Sequence, residues 1–262
     1  MSPLVSIIMP AYNAELFIEE SIKSVINQTY KNWELIIVDD CSTDNTKNIM
    51  IDFQKINYKI KTIFLKINSG KPSIAKNFAL KESIGQYIAF LDSDDIWCEN
   101  KLEKQVQIME SNSKYGLCYT GGYWIDKDGN FIKSFLPKYS NGNLFKNMLV
   151  RYEINNQSVM IRRESLEKTI IKFNEMITIG EDYNLYMNIL NKYEAVNIKE
   201  YLIKYRIHNN AITKNKKRIS DGVILTLNEL DLFKKYPLIS FLSYFKALRF
   251  KYIKKHGNKI II

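Results

Sequence analysis

Cysteine is scarce in this 262-residue chain: Cys41, Cys98 and Cys118 are the whole complement, and no two form a Cys-x-x-Cys pair. That argues against a zinc site and against a disulfide scaffold, and it fits a reducing compartment. No stretch reaches about 18 uninterrupted apolar residues, which excludes a bilayer-spanning helix. The opening Met-Ser-Pro-Leu-Val lacks the basic-then-apolar layout of a signal peptide. Arginine is missing from the first 110 residues, where 12 lysines face 15 acids. What is present is a hydrophobic content of 46% and an aromatic content of 13%, too high for a disordered chain. The length allows one large domain or two small ones, either of which can bury a real core.

The net charge is +10, which points to an anionic partner such as nucleic acid, a nucleotide or an anionic membrane surface. Its distribution narrows the choice. Residues 1–110 are net −3, residues 111–210 net +4 and residues 211–262 net +9. A nucleic-acid enzyme would more often spread basic groups along its groove. Here the excess sits in the last fifth, as a separable basic tail, and nucleic acid is not the expected partner.

The first hundred residues alternate between strand and helix signals. Buried-strand runs lie at 4–9, 34–38, 60–65 and 87–91, with helices expected over 14–29, to about residue 55, and over 73–83. This implies a parallel sheet covered on both faces, with ligands at the carboxyl ends of its strands. The second half is less regular. Helices are expected over 100–111, 142–151 and 181–191, two strands within 117–133 around a turn at Asp128-Gly129, and strands at 157–162 and 201–208.

Three polar clusters converge on one sheet edge. Asp92-Ser93-Asp94 follows the fourth strand, and two carboxylates at i and i+2 can aim at one point. Such hard oxygen ligands suit Mg2+ or Mn2+ bound with substrate phosphates, although the same pattern also occurs as a solvated acidic turn. Asp40 ends the second strand and could accept from a base N–H or a ribose hydroxyl, or simply cap a helix. Tyr12 could stack on a nucleobase or be half-buried packing. Lys76 could neutralise a phosphate or be solvated. Glu181-Asp182 opens a helix, where the dipole alone favours acids; the functional reading is a general base for an acceptor hydroxyl. His208 could bind a metal or diphosphate, or be a surface histidine.

Together these motifs resemble inverting family 2 glycosyltransferases with the GT-A fold, of the bacterial surface-glycan type. Val5-Ser6-Ile7-Ile8-Met9-Pro10-Ala11-Tyr12-Asn13 is similar to the family's opening strand. Trp33 to Asp44, with Asp39-Asp40, resembles its second block. Asn68-Ser69-Gly70 with Ala75-Lys76-Asn77 resembles the third. Phe90-Leu91-Asp92-Ser93-Asp94-Asp95 resembles the metal block, Gly180-Glu181-Asp182-Tyr183 the catalytic block, and Tyr205-Arg206-Ile207-His208 the closing one. The resemblance covers residues 4 to about 212.

It implies an α/β GT-A catalytic domain over 1–212, with a nucleotide-sugar half (1–98) and an acceptor half (99–212). Pro10, Ala11, Tyr12, Asn13, Asp40, Asn68, Lys76, Asp92 and Ser93 would hold the nucleotide sugar, with UDP the first expectation. Asp94 would bind the divalent cation, Mn2+ or Mg2+, with His208 closing that site. Asp182 would be the base, with Glu181 beside it. Lys76 stands where the family usually has Arg, and Cys41 where it usually has Gly. The implied acceptor is a glycan or lipid-linked hydroxyl in surface-polysaccharide synthesis, and the implied location cytoplasmic. Two other readings stay open. A nucleotidyltransferase would show a Gly-rich basic loop after strand one, which Pro10-Ala11-Tyr12-Asn13 is not. A non-catalytic nucleotide-binding scaffold would not need Asp94 and Asp182.

Residues 213–262 form the basic tail. An amphipathic helix is expected over 236–255, with Leu238, Phe241, Leu242, Phe245, Leu248 and Tyr252 on one face and Arg249 within that sector. That face would rest on the inner surface of the cytoplasmic membrane, or pack on the catalytic domain or on a second subunit as a homodimer.

Overall fold

The computed structural model describes residues 2–167, 172–208 and 216–252, with side chains of the last segment described for 219–249. Strands and helices alternate through the first half: β1 (Val5–Ala11), α1 (Ile18–Ile26), β2 (Trp33–Asp39), α2 (Thr46–Ile56), β3 (Ile60–Phe64), α3 (Pro72–Glu82) and β4 (Tyr87–Phe90). The second half runs β5 (Ile96–Trp97), α4 (Lys101–Glu110), β6 (Tyr115–Ile125), β7 (Phe131–Phe135), α5 (Phe145–Val150), β8 (Met160–Arg162), α6 (Arg163–Glu167), α7 (Glu181–Leu190) and β9 (Glu194–Arg206). Then come α8 (Lys216–Glu229), α9 (Leu232–Lys235) and α10 (Pro237–Tyr252).

Among the described residues the strands form one sheet in the order β3-β2-β1-β4-β8-β6-β9-β5, with β7 on β6. The four strands of the first half are mutually parallel. β8 then runs antiparallel to both β4 and β6, and β6 pairs in parallel with β9. Both faces are covered, which is why β1 and β2 read as continuous apolar runs. Ile8, Ile36, Val38 and Phe90 enter the core shared with α3 and α7. Ile7, Met9, Leu35 and Ile37 face Ile18, Ile22 and Val25 of α1.

Several boundaries differ from the sequence pattern for local reasons. α1 starts at Ile18 rather than near residue 14, because side chains of the next loop take the preceding amides. Thr46 Oγ1 accepts from Ala14 N at 2.8 Å and Asp44 from Glu15 N at 3.1 Å. Residues Asn156–Ser158 form a 3-10 turn before β8. β9 begins at Glu194, because its first residues pair with β6 across irregular register that alternation does not reveal.

Lys101 is fully buried with no carboxylate partner: its ammonium donates to Gln105 Oε1 at 2.6 Å and lies 3.9 Å from the Trp97 ring centre. Burial, partly opposed by the nearby Cys118 and Cys98, pulls its pKa down to about 7. Between there and the ordinary lysine value the unfolded chain holds a proton that the folded one refuses, so stability climbs with pH. Lys101→Met removes that dependence. Thermal melts at pH 6.5 and 9.5 should show the wild type gaining about 3 kcal/mol on the variant over that span; a constant gap would reject this reading of Lys101.

The closing helices share the catalytic core. Leu227 and Leu232 are buried in the same cluster as Tyr183 and Tyr186 of α7. A Cβ on Gly222 would stand 2.6 Å from Ile179 O, so glycine lets α8 lie against the segment that enters α7. The α10 helix packs through small residues: Ser240, Ser243 and Ala247 are buried, and Ser220 Oγ of α8 donates to Ala247 O at 2.5 Å. The helix is present, and its apolar face points outward, so that face does not pack on the catalytic domain, one of the alternatives open from sequence. Residues 253–255 of the expected helix lie outside the described residues, as does the Tyr252 side chain.

Candidate active site

Loops at the carboxyl ends of β1, β2 and β4, the start of α7 and the end of β9 build the site. After β1 the chain turns at Asn13, whose φ is +47°. Its side-chain oxygen accepts from Thr43 N at 2.9 Å, and its amide donates to Ser42 Oγ at 2.9 Å. The 10–13 segment is thus clipped to the loop after β2, leaving Tyr12 51% exposed beside a buried Ala11. Cys41 adopts φ +63°, the left-handed region that costs a non-glycine residue about 1 kcal/mol. That conformation explains the family's glycine at this position.

Asp40 is buried and already engaged. Its two oxygens accept from Ser69 N at 2.8 Å and Ser69 Oγ at 2.9 Å, while Asn68 Nδ2 donates to its backbone oxygen at 3.0 Å. The carboxylate therefore anchors the 68–71 loop, with a second lone pair on each oxygen still available.

Asp92, Asp94 and Asp95 bring one carboxylate oxygen each within 4.8 Å of one another. The Asp92 carboxylate is held by the Gln157 and Asn156 amides, and burial pushes its pKa up, with the Asp94 charge adding to the effect. Asp95 Oδ1 accepts from Arg206 N at 2.6 Å, while the buried Oδ2 has no partner. Asp94 Oδ2 lies 2.8 Å from His208 Nε2. Three clustered carboxylates, an orphaned buried oxygen and an imidazole form a donor set that fits a hard divalent cation. Arg206 ties this corner together. Its guanidinium donates to Asp94 O at 2.9 Å, Lys127 O at 3.0 Å and Glu20 Oε2 at 2.5 Å, and packs on Phe17.

Gly180, at φ +91°, makes the sharp turn that starts α7 with Glu181 and Asp182. The two acids have different surroundings. Glu181 is buried and accepts from Lys76 Nζ at 2.7 Å, with the ammonium 5.2 Å from the Phe173 ring centre. Burial alone would lower the Lys76 pKa, but Glu181, Asp92 and Asp182 together raise it, so the lysine stays charged. Asp182 is half-buried, and its Oδ1 accepts from Tyr183 N at 2.8 Å. Burial first, then the neighbouring Glu181 charge, push its pKa up to about 6. The Tyr152 hydroxyl, buried without a partner, feels the Asp182 charge.

The structure thus joins Asp92, Asp94 and His208 in one corner, and electrostatically couples Asp92 to Lys76 and Asp182. Ser93 is buried between the two aspartates of its motif. Lys76 turns inward onto Glu181. Asp95 and Arg206 stand inside the sequence motifs without an assigned role, and Asn156 and Gln157 lie outside every motif. The run of four polar residues after a buried strand could have flagged Asp95. Nothing local marks Asn156 and Gln157 or the role of Arg206, which reach Asp92, Asp94, Asp95 and Glu20 across 64 to 186 residues of chain.

Residues 6–170 match Glycosyl transferase family 2. The chain belongs to this family. A relative named as the putative teichuronic acid biosynthesis glycosyltransferase TuaG of Bacillus subtilis is 36% identical over 233 residues, covering 87% of this chain and 89% of that protein. The UDP-Glc:alpha-D-GlcNAc-diphosphoundecaprenol beta-1,3-glucosyltransferase WfgD of Escherichia coli is 39% identical over 219 residues, 81% of each chain. Among solved structures, S. aureus TarS 1-349 in complex with UDP-GlcNAc matches with TM-score 0.72 at 21% identity, covering 86% of this chain and 66% of that one. The mannosyltransferase PcManGT of Pyrobaculum calidifontis, in complex with GDP-Man and Mn2+, matches with TM-score 0.69 at 18% identity, covering 95% and 74%. The fold is GT-A, and this family 2 member is a glycosyltransferase related to surface-glycan enzymes. The nucleotidyltransferase and scaffold readings fall away.

Proposed function

We propose that the enzyme moves a sugar from a UDP sugar to a hydroxyl of a glycan or lipid-linked acceptor, with inversion, in surface-polysaccharide synthesis. The observation that carries this reading is a half-buried Asp182 at the start of α7, beside a Glu181 already paired with Lys76, in a chain whose β4 end clusters three carboxylates; burial and the Glu181 charge push the Asp182 pKa up to about 6. A general base works best with a pKa near the working pH, and Asp182 is ionised at neutral pH yet more basic than a solvated carboxylate. Glu181 is the poorer candidate because Lys76 already holds its carboxylate. Asp182 takes the acceptor proton; the hydroxyl oxygen bonds to the anomeric carbon as the bond to the diphosphate breaks on the opposite side.

Asp94, with Asp92, Asp95 and His208, would hold the cation. When bound, a Mn2+ or Mg2+ ion there would neutralise charge on the departing diphosphate. Pro10, Ala11, Tyr12 and Asn13 border the groove at the base end, with Asp40, Asn68 and Ser93 supporting it. Lys76 is kept from direct phosphate contact by its ion pair and acts by holding Glu181. The same reading puts the enzyme in the cytoplasm, in line with its unpaired cysteines. Residues 1–212 would carry the chemistry.

A donor screen with Mn2+, reading nucleotide release, tests the substrate class; release only from non-uridine donors would overturn the UDP assignment. Asp94→Ala should weaken nucleotide binding in Mn2+ by about tenfold or more and leave metal-free binding unchanged. Calorimetry showing equal Mn2+-dependent affinity in both proteins would remove Asp94 from the cation site.

A further inference from the structure

Helix α10 packs Ile239 and Tyr244 against the core but leaves its main apolar sector exposed. Its small residues Ser240, Ser243 and Ala247 meet the protein, while Leu238 (81%), Phe241 (50%), Leu242 (56%) and Phe245 (63%) are exposed on the opposite side. At 100° per residue these four positions share one sector of the helix. A soluble helix ordinarily buries such a sector, and a contiguous exposed patch marks an interaction surface. Exposed Lys234, Lys235, Lys246 and Arg249 surround it, and no acid lies between residues 232 and 262.

We propose that this face of α10 docks on an anionic phospholipid surface. Apolar side chains on one sector, bordered by cations and free of anions, fit the boundary between acyl chains and acidic headgroups. Arg249, which falls within the apolar sector, can lay its stem along it and extend its charge to the headgroups. Four side chains on one short helix offer less than the roughly 800 Å² per partner of a stable protein interface, which favours a bilayer over a second copy of the chain. The placement also serves the reaction. Ser220 of α8 bonds to Ala247, Ile219 O lies 3.8 Å from where a Gly180 Cβ would stand, and Asp182 follows two residues later. One helix thus separates the docking face from the proposed base. This deepens the reading of a lipid-linked acceptor, but vesicle binding needs neither donor nor acceptor, so the two can fail separately.

The test is co-sedimentation of the full chain with vesicles of phosphatidylglycerol and phosphatidylcholine, against phosphatidylcholine alone. The wild type should bind the anionic vesicles preferentially and lose binding as salt rises. Leu238→Ser, Phe241→Ser, Leu242→Ser and Phe245→Ser combined should reduce binding about tenfold or more, with donor hydrolysis unchanged. All four are solvent-exposed, and a melt confirms folding; the pair Phe241→Ser with Phe245→Ser is the fallback if the quadruple variant does not fold. Absence of wild-type sedimentation, or equal sedimentation of the variant, overturns the proposal. So does a wild-type dimer in light scattering that the variant makes monomeric while vesicle binding persists, which would assign the face to a second copy.

Discussion

Turnover in an Asp182→Asn variant is expected to fall by about 10²- to 10⁴-fold, with affinity for the nucleotide sugar nearly unchanged. The asparagine keeps the size and the bond from Tyr183 N but cannot take a proton. In the wild type, kcat/KM should fall on the acid side as Asp182 protonates, with a limb near pH 6. The same substitution should stabilise the fold. The folded-state pKa lies above the unfolded value, so the native chain holds the proton more tightly, and stability is lost as pH rises from about 4 to 6. Removing the charge recovers part of that loss at neutral pH, about 1–2 kcal/mol. The variant should therefore be slower and melt higher. Near-normal turnover would reject Asp182 as the base. Lost turnover with a lowered melting point would suggest a structural role instead.

The second large effect is at Lys76. Lys76→Met leaves the Glu181 carboxylate buried without its counter-charge, a change that costs about 3–5 kcal/mol. For a chain of this size that corresponds to a fall of roughly 10 °C in melting temperature. It also removes a positive charge that lowers the Asp182 pKa, so the acid limb of kcat/KM should move above pH 6. Adding Glu181→Leu to Lys76→Met should recover most of the stability, because the lost pair is then replaced by apolar contact. Lys76→Arg keeps the charge but puts a wider planar group into a space shaped for an ammonium, and should cost about 1–2 kcal/mol. A Lys76→Met protein that melts with the wild type would refute the buried-pair account.

Much of the first half was legible from local pattern. β1, β2 and β4 are apolar runs because both sheet faces are covered, while β3 at the sheet edge carries an exposed Lys61; the polar residues past β1, β2 and β4 follow because ligand loops leave the carboxyl edge. The divergent surroundings of two adjacent acids were not legible. Glu181 and Asp182 carry the same charge, and only the arrival of α3, with Lys76 beneath Phe173, separates a neutralised carboxylate from a basic one. Asp40 shows the same limit: its position after β2 was clear, but its bonds to Ser69 depend on a loop nearly thirty residues later.

The tail makes the contrast sharpest. An apolar stripe along residues 238–252 is a property of sequence, since helix periodicity fixes which side chains share a sector. Which sector faces the protein is decided by what the helix meets. Ala247 meets Ser220 of α8, Ser240 bonds to Leu232 O of α9 and Ser243 meets Tyr183 of α7, with Ile239 and Tyr244 packed beside them, so Leu238, Phe241, Leu242 and Phe245 are left outside. The sequence by itself determined the strand–helix alternation, the carboxylates at the strand ends, the basic tail and its apolar stripe, because each depends on neighbours within a turn or a strand. Tertiary structure alone decided which acid is paired, which is raised toward neutrality and which side of α10 is exposed, because burial and Coulomb contacts arise between segments that meet only on folding.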